Sequence, residues 1–254
     1  MPDTATTPSF RTRVRNGETL IGIWSSLCSN MVAEILGVTG YDWVLLDAEH
    51  SPNDPADLFG QLQALNGSPS EPIVRPPWND QVLIKRSMDI GFKSLIVPFV
   101  QTKEEAEAAV SATRYPPQGL RGIAASTRAS RYGTDTGYWQ RINEEVTLIV
   151  QVESQTTLDN LDAICSVPEV DCLFVGPNDL AASLGHLRQV DEPAVQDAIK
   201  QVAATCRANG KTPGILASSP DEAKRFLDYG YTFVGVGADI GLLRNGATSL
   251  RQQF

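Results

Sequence analysis

Leu148-Ile149-Val150 running into Gln151-Val152-Glu153, and Leu173-Phe174-Val175 running into Gly176-Pro177-Asn178-Asp179, are the stretches that decide the fold. Each begins apolar without a break, where a strand with one wet face would alternate, so each reads as a strand of a parallel sheet covered on both sides. Each then runs out into an acid. Working outward, similar β-rich runs stand at Leu20–Trp24, Trp43–Leu46, Ile73–Arg75, Ser94–Val97, Gly214–Leu216 and Thr232–Val236. With Thr147–Val152 and Cys172–Val175 they make eight strand candidates. Helical patterns lie between most of them, at Asp54–Leu65, Gln81–Ile90, Lys103–Arg114, Leu158–Ser166, Ala194–Asn209 and Asp221–Tyr229. Several open on Asp, Thr or Ser and close on Gly, the usual cap chemistry. Eight βα units in roughly 250 residues predict an α/β chain folded as a closed (β/α)8 TIM barrel, one domain over residues 1–254, in preference to an open doubly wound sheet.

A barrel also predicts where chemistry belongs, because its active site forms at the C-terminal ends of the strands. His50, Arg75, Glu153 and Asp179 all fall there. Two carboxylates ending neighbouring strands suit a hard divalent cation, Mg2+ or Mn2+, which takes few protein ligands and keeps positions open for water and substrate. The competing reading is that they cap helices, Glu153 ahead of Ser154–Thr157 and Asp179 ahead of Leu180–Leu184. Zinc suits the chain less, since zinc sites lean on His and Cys and there are only two histidines. His186 follows Gly185 and reads as a solvated loop residue. His50 follows Asp47-Ala48-Glu49 at a strand end, and an imidazole there is the natural general base. Arg75 precedes Pro76-Pro77, which hold the chain extended, and its fork of donors could clamp a carboxylate or a developing enolate oxygen. Asp89, near the end of the helix at 81–90, is a candidate for orienting His50. Gly235 and Gly237 allow either close packing or backbone approach to a phosphate.

The remaining features set limits. The chain has 254 residues and 42% hydrophobic content, enough for a large core, and a net charge of −9, which argues against nucleic acid or an anionic membrane as partner. Its four cysteines show no CxxC spacing and read as reduced packing residues, and no run reaches the roughly 18 apolar residues of a membrane span. Met1–Pro8 is polar and lacks the order of a signal peptide, so the expected address is the cytoplasm. The lysines, Lys85, Lys93, Lys103, Lys200, Lys211 and Lys224, fall in predicted helices or at strand starts, which disfavours a Schiff base. Tyr115–Glu145 is too long for an ordinary connection and reads as a lid or a subunit contact. Gly241–Phe254 reads as a terminal helix that closes this barrel or docks on a neighbour.

From about Leu20 to Phe254 the chain resembles the metal-dependent pyruvate aldolases of the 4-hydroxy-2-oxoheptanedioate and 2-dehydro-3-deoxyglucarate aldolase family. The stretches that carry the likeness are GIWSSLCSN at 22–30, YDWVLLDAEH at 41–50, PIVRPPWND at 72–80, TRYPPQGLRG at 113–122, LIVQVES at 148–154 and LFVGPNDLAASLGHL at 173–187. The resemblance implies a (β/α)8 barrel assembled as a hexamer with exchanged terminal helices. It implies His50 as catalytic base, Asp89 as the group raising its basicity, and Arg75 as transition-state stabiliser. Glu153 and Asp179 become ligands of Mg2+, Mn2+ or Co2+, while Arg75, Gln151, Asn178 and Asp179 contact substrate. The longer matches favour the deoxyglucarate branch, which cleaves a 4-hydroxy-2-oxo acid to pyruvate and an aldehyde; RPPWND favours the heptanedioate branch, where the aldehyde is succinate semialdehyde. Ala48 and Asn178 depart from the family's commoner residues. Two rivals stay open from the residues alone: a carbon–carbon lyase of acyl-CoA esters, and a catalytically silent sugar-acid sensor.

Overall fold

Eight parallel strands close on themselves in chain order in the computed structural model, which describes residues 8–254. Residues 1–7, most of the polar N-terminal stretch, lie outside the described residues. The strands are β1 (Leu20–Ser25), β2 (Trp43–Asp47), β3 (Glu71–Arg75), β4 (Ser94–Val97), β5 (Thr147–Val152), β6 (Cys172–Val175), β7 (Thr212–Ala217) and β8 (Phe233–Ala238), with β8 pairing back onto β1. The helices are α1 (Phe10–Arg15), α2 (Asn30–Gly37), α3 (Pro55–Ala64), α4 (Gln81–Asp89), α5 (Lys103–Thr113), α6 (Tyr138–Glu145), α7 (Gln155–Asp159), α8 (Leu161–Cys165), α9 (Pro177–Ser183), α10 (Pro193–Ala208), α11 (Pro220–Asp228) and α12 (Asp239–Arg251). Ser29, Asp54, Asp80, Thr102, Ser154 and Ser219 each accept a first-turn N–H, which is why the βα loops turn into helices where they do. The (β/α)8 expectation holds. The pattern at 158–166 resolves into α7 and α8, separated at Asn160, whose side-chain amide donates to the carbonyls of Gln101 and Thr156.

Side chains alternate between two buried surfaces along every strand. Leu46, Val74, Val150 and Leu173 face the surrounding helices, while Leu45, Ile73, Ile149 and Phe174 fill the barrel. Inside, Trp43 stacks on Phe233 with centroids 4.6 Å apart, and Trp24 lies 5.6 Å from Phe174. Gly22 is required by this layer: a Cβ there would meet the Trp43 ring at 1.9 Å. Gly235 serves the same packing, its position crowded by Leu216 and Trp43, so close packing rather than a phosphate accounts for it. Val14 of α1 plugs the bottom of the barrel, and Arg11 beside it pairs with buried Asp171 at 3.1 Å.

Two segments leave this plan. Residues 115–145 connect the end of α5 to the start of β5, so they belong to the face opposite the mouth, and Arg121 and Arg128 tie them to the end of α4. A lid over this chain's own mouth is therefore the wrong reading of the segment, because it follows a helix and not a strand. The terminal helix α12 buries only Asp239 and exposes Leu242, Leu243 and Leu250. It does not close this barrel.

Candidate active site

The inward files of β2, β3 and β5 change chemistry at the same level. Trp43 and Leu45 are followed inward by Asp47, Ile73 by Arg75, and Ile149 by Gln151, with Glu153 one step beyond. Register fixes the first pair, since Asp47 and Arg75 are partners across the β2–β3 ladder. Period-two alternation thus turns an apolar plug into a polar floor without any irregularity of backbone.

Arg75 is the centre of that floor and is 7% exposed. Its Nε donates to Asp47 Oδ1 at 2.8 Å and its Nη2 to Asp47 Oδ2 at 2.7 Å, a fork-on-fork pair that leaves Nη1 for the cleft. Nη1 stands 2.8 Å from Glu49 Oε2 and 3.5 Å from Gln151 Oε1, with the guanidinium 5.2 Å from the centroid of the Trp24 ring. Burial alone would pull the Arg75 pKa down, but Asp47 and Glu49 outweigh it and hold the guanidinium charged. The partner shift agrees: burial raises Asp47, yet Arg75 and the N–H groups of Glu49 and His50 bring it below the ordinary carboxylate range.

The acids opposite are held differently. Glu153 is 3% exposed; its Oε1 accepts from Gln151 Nε2 at 2.5 Å and its Oε2 from the Phe99 N–H at 3.1 Å. Neither capping reading survives. Ser154, not Glu153, caps α7, and Asp179 lies inside the first turn of α9 without a capping bond. A Cβ at Gly176 would stand 2.8 Å from Glu153 Oε1, so glycine there gives the carboxylate its room. Burial pushes the Glu153 pKa up to about 7, helped by Glu49 and Asp179 and opposed by the Phe99 N–H and Arg75. Burial also raises Glu49, against Arg75 and His50.

His50, Arg75, Gln151, Glu153, Asn178 and Asp179 line one cleft of about 170 Å3, with Trp24, Phe174 and Leu216 as apolar walls. The structure therefore brings together every predicted site residue except Asp89. That carboxylate sits at the far end of α4, toward the bottom of the barrel, and takes a 2.7 Å hydrogen bond from buried Arg121. Within one chain it cannot orient His50. The imidazole is 65% exposed at the rim, and its nearest acid is Glu49, with Nε2 3.9 Å from Oε2. Sequence reading also passed over Asp47, Glu49 and Phe99 as working residues. Asp47 was within reach as an inward residue: it stands two residues beyond inward Leu45, where alternation turns it into the barrel, though its pairing with Arg75 comes from the register. No lysine is among the residues lining the cleft, which agrees with the argument against an imine.

The donor set fits a hard cation. Asp47, Glu49 and Glu153 act on a single guanidinium while Asp179 lines the same cleft, and Glu49 Oε2 is buried with no aligned donor despite its closeness to Arg75. Among the described residues no group of three or more His, Cys, Asp or Glu converges at metal-holding distance. Two carboxylates, Glu153 and Asp179, would thus hold the ion and leave most of its shell to oxygen ligands from outside, as Mg2+ and Mn2+ accept. A pH test follows from the raised Glu153. A carboxylic acid whose folded pKa lies above its unfolded value adds stability that is complete below about 4.5 and lost as pH rises through about 7. Between about pH 5 and about pH 8 the metal-free protein should lose about 3 kcal/mol more than Glu153→Gln does. Equal pH profiles in thermal unfolding would contradict the assignment.

Comparison with known proteins agrees with this geometry. Residues 20–246 match the model of the HpcH/HpaI aldolase/citrate lyase family. A 5-keto-4-deoxy-D-glucarate aldolase of Escherichia fergusonii is 49% identical over 245 residues, 96% of this chain and 96% of that protein. The crystal structure of an HpcH/HpaI aldolase/citrate lyase family protein from Burkholderia cenocepacia superposes with a TM-score of 0.93 at 42% identity, covering 97% of this chain and 99% of that one. The citrate synthase SbnG superposes with a TM-score of 0.85 at 26% identity, covering 96% and 97%. On the strength of the family match and the near-complete relatives, this chain belongs to the HpcH/HpaI aldolase/citrate lyase family and is a carbon–carbon lyase of the aldolase kind.

Proposed function

We propose that this chain reversibly cleaves a 4-hydroxy-2-oxo acid of the 5-keto-4-deoxy-D-glucarate type to pyruvate and tartronate semialdehyde. The observation that carries the reading is the placement of buried Arg75, with Nη1 turned to the cleft, beside Glu153 and Asp179 and below His50. The near-full-length relative named for that substrate supplies its identity. Arg75, Gln151, Asn178 and Asp179 bind the oxo acid. His50 accepts the C4 hydroxyl proton as the C3–C4 bond breaks, its electron pair passing into the pyruvate enolate, which then takes a proton at C3. Arg75 holds part of the enolate charge through Nη1, while Asp47 keeps the guanidinium from swinging toward the product. A divalent cation, Mg2+ or Mn2+ with Co2+ as a substitute, held by Glu153 and Asp179, supplies a Lewis acid for the same charge.

The test is pyruvate release from 5-keto-4-deoxy-D-glucarate, which should stop on addition of EDTA and return with Mn2+. Absence of release from any 4-hydroxy-2-oxo acid would favour the silent sensor instead. Cleavage of 4-hydroxy-2-oxoheptanedioate in preference would move the chain to the other branch. A CoA-ester lyase is disfavoured, because Arg75 and the His50 imidazole are the only basic side chains lining the cleft among the described residues.

The same reading extends to assembly. The apolar residues of α12, Leu242, Leu243 and Leu250, are exposed together with Met31 and Ile35 of α2 and Val38 just after it, and a homo-oligomer that exchanges terminal helices would cover such surfaces. Sedimentation should report a hexamer of the 27.5 kDa chain; a monomer at micromolar concentration would refute it. No described helix is long and apolar enough to cross a membrane, and the proposed location is the cytoplasm.

A further inference from the structure

The structure assigns to Phe99 a positioning role that the sequence motifs do not indicate: its N–H, kept in place by stacking of its ring on Trp78, fixes the Glu153 carboxylate for the divalent cation. The inference rests on the metal-dependent reading above and adds the device that prepares the ligand.

Phe99 follows β4 and Pro98 with φ +51, in the left-handed region that residues bearing a Cβ sparsely occupy. The sharp turn leaves its N–H bonded to Glu153 Oε2 at 3.1 Å, while Gln151 Nε2 holds Oε1. A carboxylate pinned on both oxygens by neutral donors keeps one orientation and still has lone pairs free for an ion. The Phe99 ring lies against Trp78, centroids 5.8 Å apart and planes 24° from parallel. Trp78 is 53% exposed, so its indole is not part of the core and its place at the rim is not explained by burial. It stands just beyond Pro76-Pro77, which fix the backbone angle twice and leave a short, stiff arm from the strand that carries Arg75. One aromatic stack therefore joins the arm beyond Arg75 to the N–H that holds Glu153, so the guanidinium and the candidate metal carboxylate are set relative to each other.

Mn2+ alone, titrated into the full-length protein, reads the effect without turnover. Trp78→Ala is expected to weaken Mn2+ binding by roughly 10–100-fold, the range for loss of groups that support a ligand. Trp78→Phe, which keeps a ring for the stack, should restore most of it; rescue by an aromatic separates positioning from general damage. Hydrogen exchange of the Phe99 amide gives a second readout that needs no metal, slow in the wild type and at least about tenfold faster in Trp78→Ala. Wild-type Mn2+ affinity and wild-type Phe99 exchange in Trp78→Ala would overturn the proposal. Wild-type protein that takes no Mn2+, or Glu153→Gln that takes it equally well, would overturn the metal reading instead, while the exchange comparison still decides the clamp.

Discussion

Arg75→Ala is expected to slow cleavage by at least about 10²–10³-fold, the cost of removing one donor to a developing oxyanion. The same change should destabilise the fold, because the guanidinium is the partner of a carboxylate that is itself 2% exposed. Asp47 would be left charged in the barrel with neither Nε nor Nη2 to meet it. Breaking one side of a buried ion pair costs about 3–5 kcal/mol, far above the contribution of exposed pairs such as Lys200–Asp197. For a chain of this size that corresponds to a fall of about 6–20 °C in Tm. Arg75→Lys separates the two effects: one ammonium keeps the charge but cannot reproduce the fork onto Asp47 while reaching the cleft. It should recover more of the stability than of the rate. Arg75→Ala with a rate within tenfold of wild type would remove Arg75 from the mechanism.

His50→Ala should lower kcat by about 10²–10⁴-fold, the usual worth of a placed general base. Its signature differs from that of Arg75 because the imidazole is 65% exposed and anchors nothing in the core. Stability should change by less than about 0.5 kcal/mol, and affinities for pyruvate and Mn2+ should stay within a few-fold of wild type. A variant that keeps more than about a tenth of the wild-type rate would show that another group takes the C4 hydroxyl proton. Glu49 is the acid to examine then, being the one nearest to Nε2.

Legibility followed burial. Strands covered on both faces carry unbroken apolar runs, so β4, β5 and β6 match the sequence reading residue for residue. Edges were harder where the run fades: β3 begins at Glu71, whose part-buried carboxyl accepts from Ser94 Oγ, a partner no local pattern announces. Four of the site residues, His50, Arg75, Glu153 and Asp179, were visible because a barrel places the residue after each apolar run at its mouth. Asp89 is the predicted site residue that its own chain does not bring to the cleft. Its position on α4 is correct along the chain, yet the helix runs away from the mouth and delivers it to Arg121.

The sequence by itself determined the eightfold βα rhythm, the end of the barrel where polar side chains gather, and the residue types for carbonyl chemistry, because periodicity and side-chain chemistry are local properties. Only the tertiary structure decided which groups meet: Asp47 with Arg75, the Phe99 N–H with Glu153, and Arg121 with Asp89. Those pairings join residues 28, 54 and 32 positions apart. Closure of the sheet sets such distances, and closure depends on the packing of the whole chain.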